Sequence, residues 1–138
     1  MLALPQTGTG VVVDTDVAED ATAEDYVEAL GWWSWADVEE DTENAWVVLF
    51  YSSKCTYSLA VQAAFYAVAE QCEGTDNKIK FGTVDTESQR YLTYLSGVER
   101  TPSALTINFD VADDGIENEI AGGQDAVEEI VAQLQGIC

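Results

Sequence analysis

Trp46-Val47-Val48-Leu49-Phe50-Tyr51 is an unbroken run of apolar and aromatic, β-prone residues. Strict alternation would mark a strand with one wet face. A continuous run belongs to a central strand covered on both faces, and so requires layers packed above and below a sheet. Four residues after it comes Cys55-Thr56-Tyr57-Ser58, at the start of a helical pattern, and Thr101-Pro102 lies further along. A strand that delivers a cysteine to a helix start, with an X-Pro downstream, is how a thiol-exchange site is assembled. Ser58 stands where a second cysteine of a C-x-x-C would be, so this site cannot close an internal disulfide.

The remaining pattern reads as one α/β domain of residues 26–138 behind an extended acidic arm of residues 1–25. The arm is rich in Gly, Thr, Asp and Ala, with one β-like run at Val11-Val12-Val13. Asp25 to Glu43 reads as a helix interrupted by Gly31 and carries the cluster Trp32, Trp33 and Trp35. Those rings either pack on the sheet or form a partner surface. Thr56–Cys72 reads as a helix with Leu59, Val61, Ala64, Phe65 and Val68 on its apolar face. Gly74-Thr75-Asp76-Asn77 is a turn, Ile79–Val84 a strand, and Ser88–Leu95 a short helix ended by Gly97. Ala104–Phe109 and Ile116–Ile120 read as strands joined by a hairpin turn at Asp113-Asp114-Gly115. Gly122-Gly123 precedes a last amphipathic helix, Asp125–Leu134.

The 138 residues include 26 acids, five basic residues and no histidine, for a formal charge of −21. All five cations (Lys54, Lys78, Lys80, Arg90 and Arg100) fall between residues 54 and 100, so the excess negative charge lies toward the two ends. Such a field repels nucleic acid and anionic membrane and leaves proteins as the expected partners. It serves as a solvated shell, an adaptation to salt, a calcium buffer or a match to a basic partner. No run reaches the ~20 apolar residues of a membrane span. Met1-Leu2-Ala3-Leu4 is too short for a signal peptide, so the expectation is either a protein made without one or a chain that begins after a removed targeting segment. Without histidine, and with three scattered cysteines, no zinc set is expected, nor any cofactor. Glu39-Glu40-Asp41 and Asp113-Asp114 lack the alternating ligands of a calcium loop and read as surface.

Four blocks in order carry a family resemblance. Val47–Cys55, Lys80–Glu87, Tyr94–Ser103 and Ala121-Gly122-Gly123 resemble, respectively, the active-site strand, the next strand with its acidic turn, the approach to a cis-proline and the glycine turn of thioredoxin-fold proteins. The a-type domains of protein disulfide isomerases are the most similar. The resemblance implies a thioredoxin-like α/β fold, a mixed sheet with helices on both faces. It implies Cys55 as a monothiol nucleophile, Ser58 as a hydrogen-bond donor to its thiolate, and Lys54 as an activating cation. Tyr57, Arg100, Thr101 and Pro102 would then form a client-docking edge. It further implies that the ends of the second and last helices meet at the opposite pole. A Cys72–Cys138 disulfide is expected there, with two unrelated thiols as the alternative. Such a bridge suits an oxidising or organellar lumen, secretory or plastid.

This chain departs from the family at four positions. Ser58 replaces the resolving cysteine, and Lys54 the aromatic residue before the nucleophile. Leu49 replaces a buried proton-handling acid, and Ala63 a helix-kinking proline. Two functions therefore stand side by side. One is thiol–disulfide exchange or capture of clients as mixed disulfides through Cys55. The other is a non-catalytic scaffold subunit docked on a larger, organellar assembly through Trp32, Trp33, Trp35 or the acidic arm. An acidic, low-affinity calcium binder is a third.

Overall fold

A computed structural model describes residues 26–73, 78–111 and 116–138. The arm of residues 1–25, the turn at 74–77 and the hairpin turn at 113–115 lie outside the described residues. The elements are β1 (Val27–Ala29), α1 (Trp35–Glu40), β2 (Ala45–Tyr51), α2 (Thr56–Glu73), β3 (Ile79–Asp85), α3 (Arg90–Leu95), β4 (Ser103–Ile107), β5 (Ile120–Gly122) and α4 (Gln124–Ile137). The five strands form one mixed sheet in the order β1-β3-β2-β4-β5. β1 and β2 run parallel to β3, while β4 runs antiparallel to both β2 and β5.

The apolar run is the centre of this sheet. Ala45, Val47 and Leu49 face one layer, where they meet Val61, Phe65 and Val68 of α2 and Val127, Ile130 and Leu134 of α4. Trp46, Val48 and Phe50 face the other, against Val38 of α1, Leu92 of α3, Leu30 and Val98. Period-2 alternation thus sends successive side chains of one strand into two different cores. Helices flank the sheet on both faces.

The expected helix across Asp25–Glu43 is replaced by strand β1, a turn and the short α1. Val27–Ala29 pairs with Phe81–Thr83, and the Leu30 N–H continues the ladder to the Thr83 carbonyl at 2.8 Å. Sheet pairing supplies these backbone groups with partners, and Leu30 becomes buried, so tertiary structure overrides a weak local preference. The three tryptophans divide. Trp35 packs edge-on against Phe50 with ring centroids 6.2 Å apart, whereas Trp32 and Trp33 are 59% and 74% exposed.

The expected strands Ala104–Phe109 and Ile116–Ile120 are also displaced. Asn108 adopts a left-handed φ of 58°, and its side-chain amide donates to the carbonyls of Asp41 and Asn44 at 2.9 and 3.1 Å. That contact ends β4 at Ile107 and turns Phe109–Val111 into a 3₁₀ turn. The Thr106 hydroxyl donates to the Glu117 carbonyl and accepts the Glu119 N–H, both at 2.7 Å, where a regular ladder would continue. β5 is left with Ile120–Gly122. Leu59, expected on the apolar face of α2, is 51% exposed. The buried stripe runs Ser58, Val61, Phe65, Val68 and Cys72, and Leu59 stands about 100° round the helix from Ser58.

Candidate functional site

The site forms where β2 ends, at the carboxyl edge of the parallel strands. Ser52 is buried, and its carbonyl accepts the Cys55 N–H at 3.0 Å, curling residues 52–55 into a tight turn before α2. The Cys55 carbonyl then accepts the Leu59 N–H, so the helix starts on the cysteine itself. This places the sulfur over the unpaired N–H groups of the first helical turn.

Cys55 is half-buried and is the one free cysteine of the chain's three. Its thiol donates to the Thr101 carbonyl at 3.6 Å. The Thr101–Pro102 peptide is cis, and Pro102 is buried. The Pro102 carbonyl accepts the Gly123 N–H at 2.8 Å, which ties the proline loop to the start of α4. Gly123 has φ 97°, a conformation that a side chain would strain, so a glycine is required at this junction.

Hydrogen bonds from the Ser58 hydroxyl, and then from the Ser58 backbone, hold the Cys55 thiol below its ordinary pKa. Desolvation opposes them, while Thr101 and the Tyr57 N–H assist. Ser58 is fully buried, and its oxygen accepts the Ser52 N–H at 3.3 Å. Lys54 is exposed, and its ammonium lies 3.7 Å from Glu87 Oε1, which also meets Arg90 at 3.8 Å. Arg100 is exposed and runs along the glycine turn, its Cδ 3.5 Å from where a Cβ on Gly122 would stand. Tyr57 is 61% exposed and, with Leu59, forms an apolar lip on the first turn of α2. At the positions expected to lack a proton-handling acid and a helix-kinking proline, Leu49 is buried in the core and Ala63 lies within an uninterrupted α2.

Cys72 and Cys138 form a disulfide with their Cα atoms 4.9 Å apart, at the ends of α2 and α4 remote from Cys55. Beside it runs an open groove of about 600 Å³ lined by residues that include Tyr26, Glu28, Trp46, Glu73 and Lys80. In the Glu39-Glu40-Asp41 run, the Asp41 carboxylate accepts the Glu43 and Asn44 N–H groups at 2.9 and 3.1 Å and the Trp46 indole N–H at 3.0 Å. Its oxygens serve the α1–β2 turn. Asp113-Asp114 lies outside the described residues.

A second feature was read in the sequence only through its tryptophans. Residues from α1 and α3, far apart in the chain, gather on one face of the sheet. Trp32 and Tyr91 contact each other with ring centroids 5.2 Å apart. Tyr91, Tyr94 and Leu95 are 61%, 78% and 54% exposed. Beside Trp32 and Leu95 is a groove of about 430 Å³ lined by Trp32, Trp35, Leu92, Leu95, Leu105 and Ile107, with Glu39 and Ser96 at its polar margin. Tyr94 instead lines a shallow groove with Glu87, Arg90 and Val98. Only the tryptophans signalled it; Tyr91, Tyr94 and Leu95 look like an ordinary helix until α3 is placed beside α1.

The same architecture occurs in solved structures. The thioredoxin of Trypanosoma brucei brucei superposes with a TM-score of 0.64 at 13% identity, over 88% of this chain and 97% of that one. Malassezia sympodialis thioredoxin (Mala s 13) gives 0.62 at 18% identity, over 79% and 89%. The Trx4 domain of ERdj5 gives 0.61 at 22% identity, over 81% and 95%. Of the longer J-Trx1 fragment of ERdj5, this chain spans 52%. No protein-family model and no curated protein matches the sequence. The chain has the thioredoxin fold. Likeness at these identities establishes architecture and leaves activity to the site.

Proposed function

We propose that this chain is a thioredoxin-fold docking subunit without a two-thiol catalytic cycle, seated on a protein partner through its aromatic face. The observation that carries this reading is one apolar groove edged by the exposed Trp32 and Leu95, with the exposed Tyr91 against Trp32. Large aromatic residues anchor protein interfaces because each buries a wide, rigid surface at small entropic cost. Glu39 of α1 lines the groove's margin, Asp37 and Glu40 belong to the same helix, and no Lys or Arg is among the described residues that line it. A partner with basic residues around an apolar anchor complements it, whereas a second copy would bring another −21 against it. In this reading the unit is residues 26–138, the acidic arm of residues 1–25 adds to the same field, and the disulfide suits an oxidising or organellar lumen.

A photo-crosslinking residue at Tyr94, and another at Tyr66 on α2, separate the faces in extracts of the source cell. Position 94 is expected to join one discrete protein, and the product is expected to disappear in Trp32→Ala/Leu95→Ala and weaken as salt is raised. Native protein migrating at its monomer mass of 15.0 kDa, with equal labelling from both faces, overturns the reading.

The second reading is favoured by the Cys55 geometry: a partly accessible sulfur held below its ordinary pKa, beside a cis Thr101–Pro102 peptide. In it, the Cys55 thiolate attacks a client disulfide, its S–S bond breaks, and one client sulfur leaves as thiolate. The other remains joined to Cys55 as a mixed disulfide. With Ser58 in place of a resolving thiol, an external thiol must attack that bond to release the client. Acid-quenched, alkylated extracts are expected to hold such adducts, absent in Cys55→Ala. No adduct from wild type leaves only the docking role.

A further inference from the structure

We infer that Ser52 and Glu87 are positioning residues for Cys55, aiming the Ser58 hydroxyl at its sulfur through a hydrogen-bonded chain that crosses from β3 to α2. The inference rests on the thiol reading above and names what regulates that site. A serine hydroxyl has one proton to donate and two lone pairs to accept with. The buried Ser58 oxygen takes the Ser52 N–H on a lone pair, so its single proton stays free to donate. The Ser52 carbonyl takes the Cys55 N–H at 3.0 Å, which fixes the cysteine one turn of helix before that hydroxyl.

Ser52 is held in turn. Its hydroxyl accepts the Lys54 N–H at 3.2 Å and donates to Glu87 Oε2 at 3.2 Å. Glu87 lies in the turn after β3, where its own N–H donates to Asp85 Oδ1 at 2.9 Å. The turn presenting the cysteine is thereby clamped by a carboxylate from the neighbouring strand. Ser52 and Ser58 are buried, and their mutual contact is shielded from solvent, while Glu87 reaches Ser52 from the surface.

The charged side chains at this pole include Lys54 in the turn, Asp85 at the end of β3, Glu87 in the turn after it, Arg90 on α3, and Glu99 and Arg100 before β4. Lys54 and Arg90 are drawn to Glu87, and Arg100 lies along Gly122. Their arrangement makes the sign of a Glu87 substitution diagnostic. If Glu87 acted only as a charge, its loss would remove a nearby negative group, release Lys54 and lower the Cys55 pKa. If it positions Ser52 and Ser58, its loss raises that pKa.

The test is the rate of Cys55 alkylation by iodoacetamide against pH, with the Cys72–Cys138 bridge intact. Ser52→Ala and Glu87→Ala are each expected to move the midpoint up by about half a pH unit, about threefold less thiolate at neutral pH. Glu87→Gln, whose amide oxygen can still accept from Ser52, is expected to stay at or below wild type. Glu87 is on the surface, so its variants report even if Ser52→Ala disturbs folding. Midpoints for Ser52→Ala and Glu87→Ala at or below wild type, with Ser58→Ala raised, overturn the positioning role and leave the thiol reading standing. A wild-type midpoint at or above the ~8.5 of a free cysteine overturns both.

Discussion

Asp41 gathers the polar groups that the α1–β2 turn would otherwise leave unpaired. Burial pushes its carboxyl up, but the Glu43 N–H, the Trp46 indole and the two Asn44 donors outweigh it and hold the group below the ordinary carboxylate value. Through Trp46, whose ring also lies 5.7 Å from the Lys80 ammonium, the carboxylate ties the turn to the central strand. A carboxylate with a depressed folded pKa adds stability above its unfolded value, and that stability is lost as pH falls through the folded one. Asp41→Ala is therefore expected to lose about 1–2 kcal/mol at pH 7, the size of a few unsatisfied donors. Denaturant melts should show the gap to wild type narrowing below about pH 4, where the carboxylate of the unfolded chain begins to protonate while the folded one stays charged. A gap independent of pH would contradict this account.

Two faces of α2 do different work. Its inner stripe carries Phe65, fully buried and packed edge-on against Phe81 with centroids 5.5 Å apart. Its first turn carries Tyr57 and Leu59 outward beside Cys55. Phe65→Ala is expected to cost about 3–5 kcal/mol, with the denaturant midpoint moving and the slope unchanged. Leu59→Ala is expected to stay within about 0.5 kcal/mol of wild type, because it empties no core space. Comparable losses at both positions would show that α2 is packed on both sides. Much at this scale was legible in the chain. β2 is an unbroken apolar run and α2 carries a helical apolar stripe, and their expected limits fall within one residue of those observed. β1 was not legible, because three residues pairing at a sheet edge leave no period to read. Nor was the Ser52–Glu87 contact, which joins residues 35 apart and exists only once β2 and β3 are in register.

At the scale of the molecule, the thiol turn and the disulfide occupy opposite poles of the same helix. The Cys72–Cys138 bridge closes a loop of sequence separation 66, for which chain entropy assigns about 4 kcal/mol of stabilisation. Cys72→Ser/Cys138→Ser is expected to lose stability of that order in urea while the alkylation midpoint of native Cys55 stays where it was. A shifted midpoint would mean that the poles communicate through α2. In a chain of net charge −21, all five cations fall between residues 54 and 100, and Lys54, Arg90 and Arg100 lie at the cysteine pole.

Local pattern alone determined the central strand, the helix that follows it, the last helix and the candidate nucleophile. These depend on residues adjacent in the chain, whose spacing states which way each side chain faces. The resemblance, not the spacing, pointed to the pairing of Cys72 with Cys138. Tertiary structure decided which tryptophans are covered, where β4 and β5 break, and which distant groups meet Cys55 and Trp32. Those outcomes depend on registers between strands and on the seating of α1 and α3, and contacts of that kind come into being only when the layers close.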